Sequence, residues 1–206
     1  KFEKMFRLLV LLFIGCFLFV NISGRPTETG NVELKGMKMK MAVYRILIEN
    51  LTPEQRERVS KIMEIMFDRK MKAEEKFEAI STIPGIREFP PEDRESVKTF
   101  LRQMTEMLLY FDDEIQPKLN PRAQKFFADM ENLSKNFIPF VLSTEEEQDK
   151  SIEAFATGLE FEDSMQIFDA YLKIYKKAKD IGLVDQYIKM SKVKSITETT
   201  PLPMLN

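Results

Sequence analysis

The stretch "PEDRESVKTFLRQMTEMLLYFDDEI", Pro91 to Ile115, decides the fold class. Val97, Leu101, Met104, Leu108, Phe111 and Ile115 recur at steps of 4, 3, 4, 3 and 4, and Phe100 and Met107 widen the stripe. That spacing gathers the apolar residues on one side of a helix, whereas a strand needs alternation with a period of two. Pro117 ends the run, because its ring and missing N–H do not suit a helix interior.

The same pattern extends in both directions. Downstream, "LNPRAQKFFADMENLSKNFIPFVLS", Leu119 to Ser143, opens with Asn120 as cap and Pro121 as first helical residue. Its apolar stripe runs through Phe126, Met130, Leu133, Phe137 and Phe140, flanked by Phe127 and Ile138, and Pro139 is expected to kink or end the helix. Upstream, "NLTPEQRERVSKIMEIMFDRKM" offers Thr52 as N-cap, Pro53 at N1 and Gln55 at N3, which is a capping box. Val59, Ile62, Met63, Met66 and Phe67 then fall on one side, and a short helix follows over 73–81 with Ala73, Phe77 and Ile80 inward. After Ser143 or Thr144, a further helix places Ile152, Phe155 and Leu159 inward. Beyond Gly158 the stripe repeats through Phe161, Met165, Phe168, Leu172 and Tyr175 until Gly182, and a last short helix follows. Alternating β-branched segments are nearly absent. The reading is one all-α domain over 37–193, with about six to eight amphipathic helices around an apolar core or cavity.

The ends read differently. "MFRLLVLLFIGCFLFVNISG", from Met5, sets Arg7 before an apolar run from Leu8 to Val20 and small residues at Ser23 and Gly24. This is the order of a secretory signal peptide, assigned to 1–24, and the run is shorter than the roughly 20 residues a membrane-spanning helix needs. Residues 25–36 form a polar lead-in, and 194–206, rich in Ser, Thr and Pro, are expected to be disordered. Losing the leader takes away Lys1, Lys4, Arg7 and Glu3 and shifts the net charge from −2 to −4. It also removes Cys16, the one cysteine, so the expected extracellular chain has no disulfides and relies on packing.

The composition narrows the chemistry. There is no histidine, the commonest general base and metal ligand, and no glycine-rich phosphate loop. Without a mature cysteine, thiolate nucleophiles and thiolate-metal sites are also excluded. Adjacent acids such as Asp112, Asp113 and Glu114 read as a solvated helix face. The expectation is therefore no enzyme, no catalytic residue, no metal and no cofactor. The scattered basic residues and mildly acidic balance speak against nucleic acid.

Beyond the leader the chain holds 12 phenylalanines and 12 methionines but no tryptophan, and several stripes are wider than a seam requires. A wide face buries against several neighbours or against a ligand, and methionine fills irregular space. Sequestering an acyl chain gains roughly 0.8 kcal/mol per CH₂ and needs no catalytic group. The candidate ligand-binding residues are Met63, Met66, Phe67, Phe77, Phe100, Met104, Leu108, Phe111, Phe126, Phe127, Met130, Phe137, Phe155 and Phe168. Arg102 or Lys125 is the candidate cation for a carboxylate. Two N-glycosylation sequons are placed at Asn50 and Asn132, the latter about 140° from the stripe centre at 100° per residue. A third, at Asn21, leaves with the leader.

Asn50 to Ile80 resembles the amino-terminal part of the nematode fatty-acid- and retinol-binding proteins, with a similar "NLT-acid-x-basic" helix start and a following short helix. "LNPRAQKFFADM", Leu119 to Met130, is similar to their "L-x-P-x-A-K-x-F-V" helix. The resemblance covers about 50–140 and implies a secreted helical protein that binds fatty acids and retinol in an internal cavity. For this chain the expected partners are fatty acids, with retinol second, and transient contact with a membrane, and the expected state is a monomer. It carries over no individual binding residue. Two other readings stay open. One is a secreted helical interaction module whose stripes are simply core and which binds a receptor or host protein. The other is a membrane-surface protein using "ELKGMKMKMAVYR", Glu33 to Arg45.

Overall fold

In the computed structural model, residues 42, 44–86 and 89–186 are described, so the leader, the polar lead-in, the Met/Lys stretch up to Met41 and the tail lie outside them. Seven α-helices follow a helical segment at 44–49: α1 Pro53–Phe67, α2 Ala73–Ser81, α3 Pro91–Tyr110, α4 Pro121–Lys135, α5 Phe137–Leu142, α6 Glu145–Ala156 and α7 Phe161–Asp180. The protein is all-α, and no strand occurs among the described residues. No helix among them is long and apolar enough to cross a membrane.

The helix starts follow local chemistry. Thr52 Oγ1 accepts from Gln55 N while Gln55 Oε1 accepts from Thr52 N, the reciprocal box that satisfies two otherwise orphaned donors. Thr144 and Glu147 repeat the device at α6. At α4, Asn120 Oδ1 accepts from Ala123 N ahead of Pro121. Gly182 ends α7 with φ +74°, a conformation that a side chain would strain.

The helix at Pro91 keeps its whole expected face: Val97, Phe100, Leu101, Met104, Met107, Leu108, Phe111 and Ile115 are all buried. Its ending differs from a simple stop at Pro117. The last turns widen into a π-helix over Phe111–Ile115 and tighten into a 3-10 turn over Gln116–Lys118. The widened turn carries Phe111 and Ile115 inward, and Pro117 falls early in the 3-10 turn, where its missing N–H costs little.

Two expectations about helix faces are corrected. In α4 the buried line is Ala123, Phe127 and Ser134, while Phe126, Met130 and Leu133 are half-buried, so the stripe is centred closer to Phe127. The break falls at Asn136 rather than at Pro139. α5 restarts at Phe137, leaving Pro139 in its first turn, where no intrahelical donor is required. The larger correction concerns α7. Its buried face is Asp163, Ile167, Ala170, Tyr171, Ile174 and Ala178. Four of the five residues of the expected stripe point outward, with Phe161 72%, Met165 47%, Leu172 51% and Tyr175 43% exposed, and Phe168 between them is half-buried. The small side chains of Ala170 and Ala178 let α7 sit close to its neighbours, and the large outer residues would hold it away.

α1 packs on α2, α3, α4 and α5, α3 on α7, and α7 on α4. α1, α3, α7 and α4 thus form a closed ring of contacting helices. The junction of α4 and α7 is polar. The buried Asp163 accepts from Glu160 N at 2.7 Å and from Asn120 Nδ2 at 2.6 Å, with Arg122 Nη1 at 3.5 Å. These donors, the Glu160 N–H foremost, hold its carboxyl below the ordinary carboxylate value. The stabilisation is present above the unfolded-state pKa and is lost as pH falls through the lowered folded one. Asp163→Asn is expected to flatten part of the decline in melting temperature between about pH 5 and pH 2, followed by circular dichroism.

Candidate functional site

The ring of α1, α3, α4 and α7 closes on a small void lined by Phe67, Leu108, Phe111, Phe127, Met130, Tyr171, Ser134, Arg69 and Glu131, with a volume near 30 Å³. Each helix supplies its part through the stripe already described. α1 ends on Phe67, and the turn after it delivers Arg69. α3 and its π-turn bring Leu108 and Phe111, α4 brings Phe127 and Met130, and α7 brings Tyr171 from its buried face.

The aromatic rings form one cluster. Phe127 lies 5.0 Å from Phe111, 5.2 Å from Tyr171 and 5.6 Å from Phe126 between ring centres, and Phe126 meets Phe155 at 6.5 Å. Burial pushes the Tyr171 phenol well above its ordinary pKa, so it stays neutral. Over this apolar floor stands Arg69, with its guanidinium 5.8 Å from the Phe111 ring centre and paired with both Asp112 and Glu131. Burial works to lower its pKa, but the hydrogen bonds and charges of Glu131 and Asp112 outweigh it, and the guanidinium is held more firmly protonated. Burial likewise opposes ionisation of Glu131, yet Arg69 and Lys135, 2.9 Å away, bring its pKa below the ordinary value. The site is therefore an aromatic floor beneath one cation that already holds two carboxylates.

Of the fourteen candidate residues, Phe67, Leu108, Phe111, Phe127 and Met130 meet at the void. Met63, Met66, Phe100 and Met104 lie buried in the surrounding core, and Phe126 and Phe155 extend the cluster outward. The remaining three lie elsewhere. Phe137 packs edge-on against Tyr44 at 5.6 Å, and Phe168 belongs to the outward stripe of α7. Phe77 floors a separate open groove between α2 and α3, of about 470 Å³, edged by Glu74, Glu78, Arg94, Lys98 and Arg102.

The expected cations are also displaced. Arg102 pairs with Glu74 at 3.3 Å beside that groove, and Lys125 pairs with Asp129 on the exposed side of α4. Arg69 and Tyr171 were missed. Arg69 sits in "DRKM" at the foot of α1, and its one sequence signal was the apolar run that stops just before it. Asn50 and Asn132 are both exposed, Asn50 in the turn before α1 and Asn132 within α4. Compared with protein families, curated proteins and solved structures, the chain matches none of them.

Proposed function

We propose that this protein is a secreted, non-enzymatic carrier of long-chain fatty acids, binding the acyl chain among the faces of α1, α3, α4 and α7 with Arg69 over the carboxylate end. The observation that carries this reading is the convergence of five candidate residues on one void beneath a half-buried arginine. A void near 30 Å³ holds about one water, whereas sites for drug-sized ligands run to roughly 300 Å³ or more, so loading requires the walls to part. Half-buried Met130 and Phe126 are the side chains best placed to swing, and the incoming carboxylate would take the place of Asp112 or Glu131 on Arg69. Retinol, an alcohol, gains little from Arg69, which ranks it below a fatty acid.

The test is displacement of an environment-sensitive fatty-acid probe by oleate. Arg69→Gln is expected to weaken oleate by about tenfold, the scale of one charge-assisted hydrogen bond, and to leave retinol unchanged. A wild-type protein that gives no displaceable signal at micromolar concentrations overturns the proposal. Intact-mass measurement of the protein exported by expressing cells checks the proposed leader cleavage and any glycan on Asn50 or Asn132.

The small size of the void favours a second reading, a helical interaction module with a closed core. For that reading the probe signal is absent, and binding resides on the outer surface.

A further inference from the structure

We infer that the outward stripe of α7 is a pairing seam for a second copy of this chain, joined antiparallel about a two-fold axis. None of the residues of this stripe lines the void, so the inference stands independently of the fatty-acid reading. It departs from the monomer expected from sequence.

The argument starts from spacing. Phe161, Met165, Phe168, Leu172 and Tyr175 step by 4, 3, 4 and 3, the repeat that lets two helices interlock along a narrow line. Four of the seven large apolar side chains that stand exposed among the described residues belong to this one line. At 1.5 Å per residue the seam runs for about 21 Å, and it is straight. A helix partner fits this shape. A lipid surface favours a broad apolar face with a basic border, and the border here is acidic at one end.

The charges then select the partner. At about 100° per residue, Glu162, Asp169, Lys173, Lys176 and Asp180 all fall on one flank of the seam, while the other flank offers Ser164 and the inward-turning Tyr171. Acidic Glu162 stands at the start of this flank, and basic Lys173 and Lys176 stand in its second half, ahead of Asp180 at the last residue of the helix. A two-fold axis that reverses one helix against the other brings the same flank of each copy together. Glu162 of one copy then lies beside Lys176 of its partner, with Phe168 facing Phe168 at the centre. A parallel pair would set the charged flank against the uncharged one and satisfy neither group. Neither Glu162 nor Lys176 has an ion-pair partner among the described residues, whereas Asp169 is already paired with Lys173 at 2.5 Å and is quiet near the axis. The surface is therefore complementary to itself, as an isologous contact requires.

Sedimentation velocity of the full chain tests this. A contact of this length is below the standard interface size, so a monomer–dimer equilibrium is expected with a dissociation constant on the order of 10 µM. Leu172→Glu is expected to weaken the dimer at least about tenfold without lowering the melting temperature of the monomer. Lys176→Glu alone weakens pairing, and adding Glu162→Lys in the same chain restores it, because the charges are exchanged symmetrically. The inference is overturned by a wild-type chain that stays monomeric to about 200 µM, twentyfold above the expected constant. It is equally overturned if the double exchange fails to restore pairing. A core-like loss of monomer stability in Leu172→Glu, the sign that another segment of the same chain covers the stripe, also overturns it. So does capture by lipid vesicles of a chain that is monomeric in solution.

Discussion

Phe100→Ala is expected to destabilise the protein by about 3–5 kcal/mol, while Phe161→Ala changes its stability by no more than about 0.5 kcal/mol. Both phenylalanines sit on apolar stripes with the same 4-3 spacing, so sequence alone treats them alike. Phe100 is fully buried on α3 beside Leu101 and Met104, where removing the ring forfeits its transfer energy and leaves a cavity that fixed neighbours cannot fill. Phe161 opens α7 and is 72% exposed, so little is lost with its ring. Urea unfolding at submicromolar protein, below the expected pairing constant, makes the comparison on the monomer. A Phe161 loss as large as that of Phe100 would contradict the outward orientation of α7.

The second large effect concerns Lys76. Its side chain is 1% exposed, and its Nζ donates to the Met66 carbonyl at 2.8 Å, satisfying one of the acceptors that α1 leaves unpaired at its end. Burial is the chief reason that its pKa falls to about 8. Asp68 opposes the shift and Arg69 adds to it. Between about pH 8 and 10.5 the unfolded chain keeps this proton and the folded chain has lost it, so the unfolded state binds more protons and stability rises with pH. The gain across the window is up to about 3 kcal/mol. Tyr171 acts in the opposite sense above about pH 10, because only the unfolded phenol ionises there. Stability is therefore expected to peak near about pH 10, where the rise from Lys76 meets the fall from Tyr171. Urea unfolding from about pH 7.5 to 10 should show the rise in the wild type and its absence in Lys76→Met, which retains the stem and cannot titrate. A rise of equal size in both proteins would remove Lys76 as its source.

These two residues also mark how far the sequence could be read. The spacing from Val97 to Ile115 was enough to place every inward residue of α3, because that helix has one apolar face and there was nothing to choose. α7 has two. Phe161, Met165, Phe168, Leu172 and Tyr175 make the bulkier one, and Ile167, Ala170, Tyr171, Ile174 and Ala178 make the one that packs. A hydrophobic count favours bulk, whereas close packing of helices favours small residues that let the backbones approach. Phe168 was carried into the candidate site by that error, and Tyr171 was left out by it.

Lys76 lay equally hidden, since a lysine in a short amphipathic helix reads as solvated until the carbonyl end of another helix is placed over it. The same holds for Arg69. Its two carboxylates come from the π-turn after α3 and from α4, 43 and 62 residues further along the chain, a proximity no local pattern encodes.

By itself, then, the sequence determined the all-α class, the capped starts of α1, α4 and α6, and the set of apolar residues from which a core had to be drawn. Those are local properties: a capping box forms between residues three apart, and a helical stripe exists whatever lies next to it. Only the tertiary structure decided which face of α7 turned inward, that Phe67, Phe111 and Phe127 meet at a void of about 30 Å³, and which arginine stands above it. Those outcomes depend on how α1, α3, α4 and α7 fill space against one another, a sum over distant contacts in which volume and shape count as much as hydrophobicity.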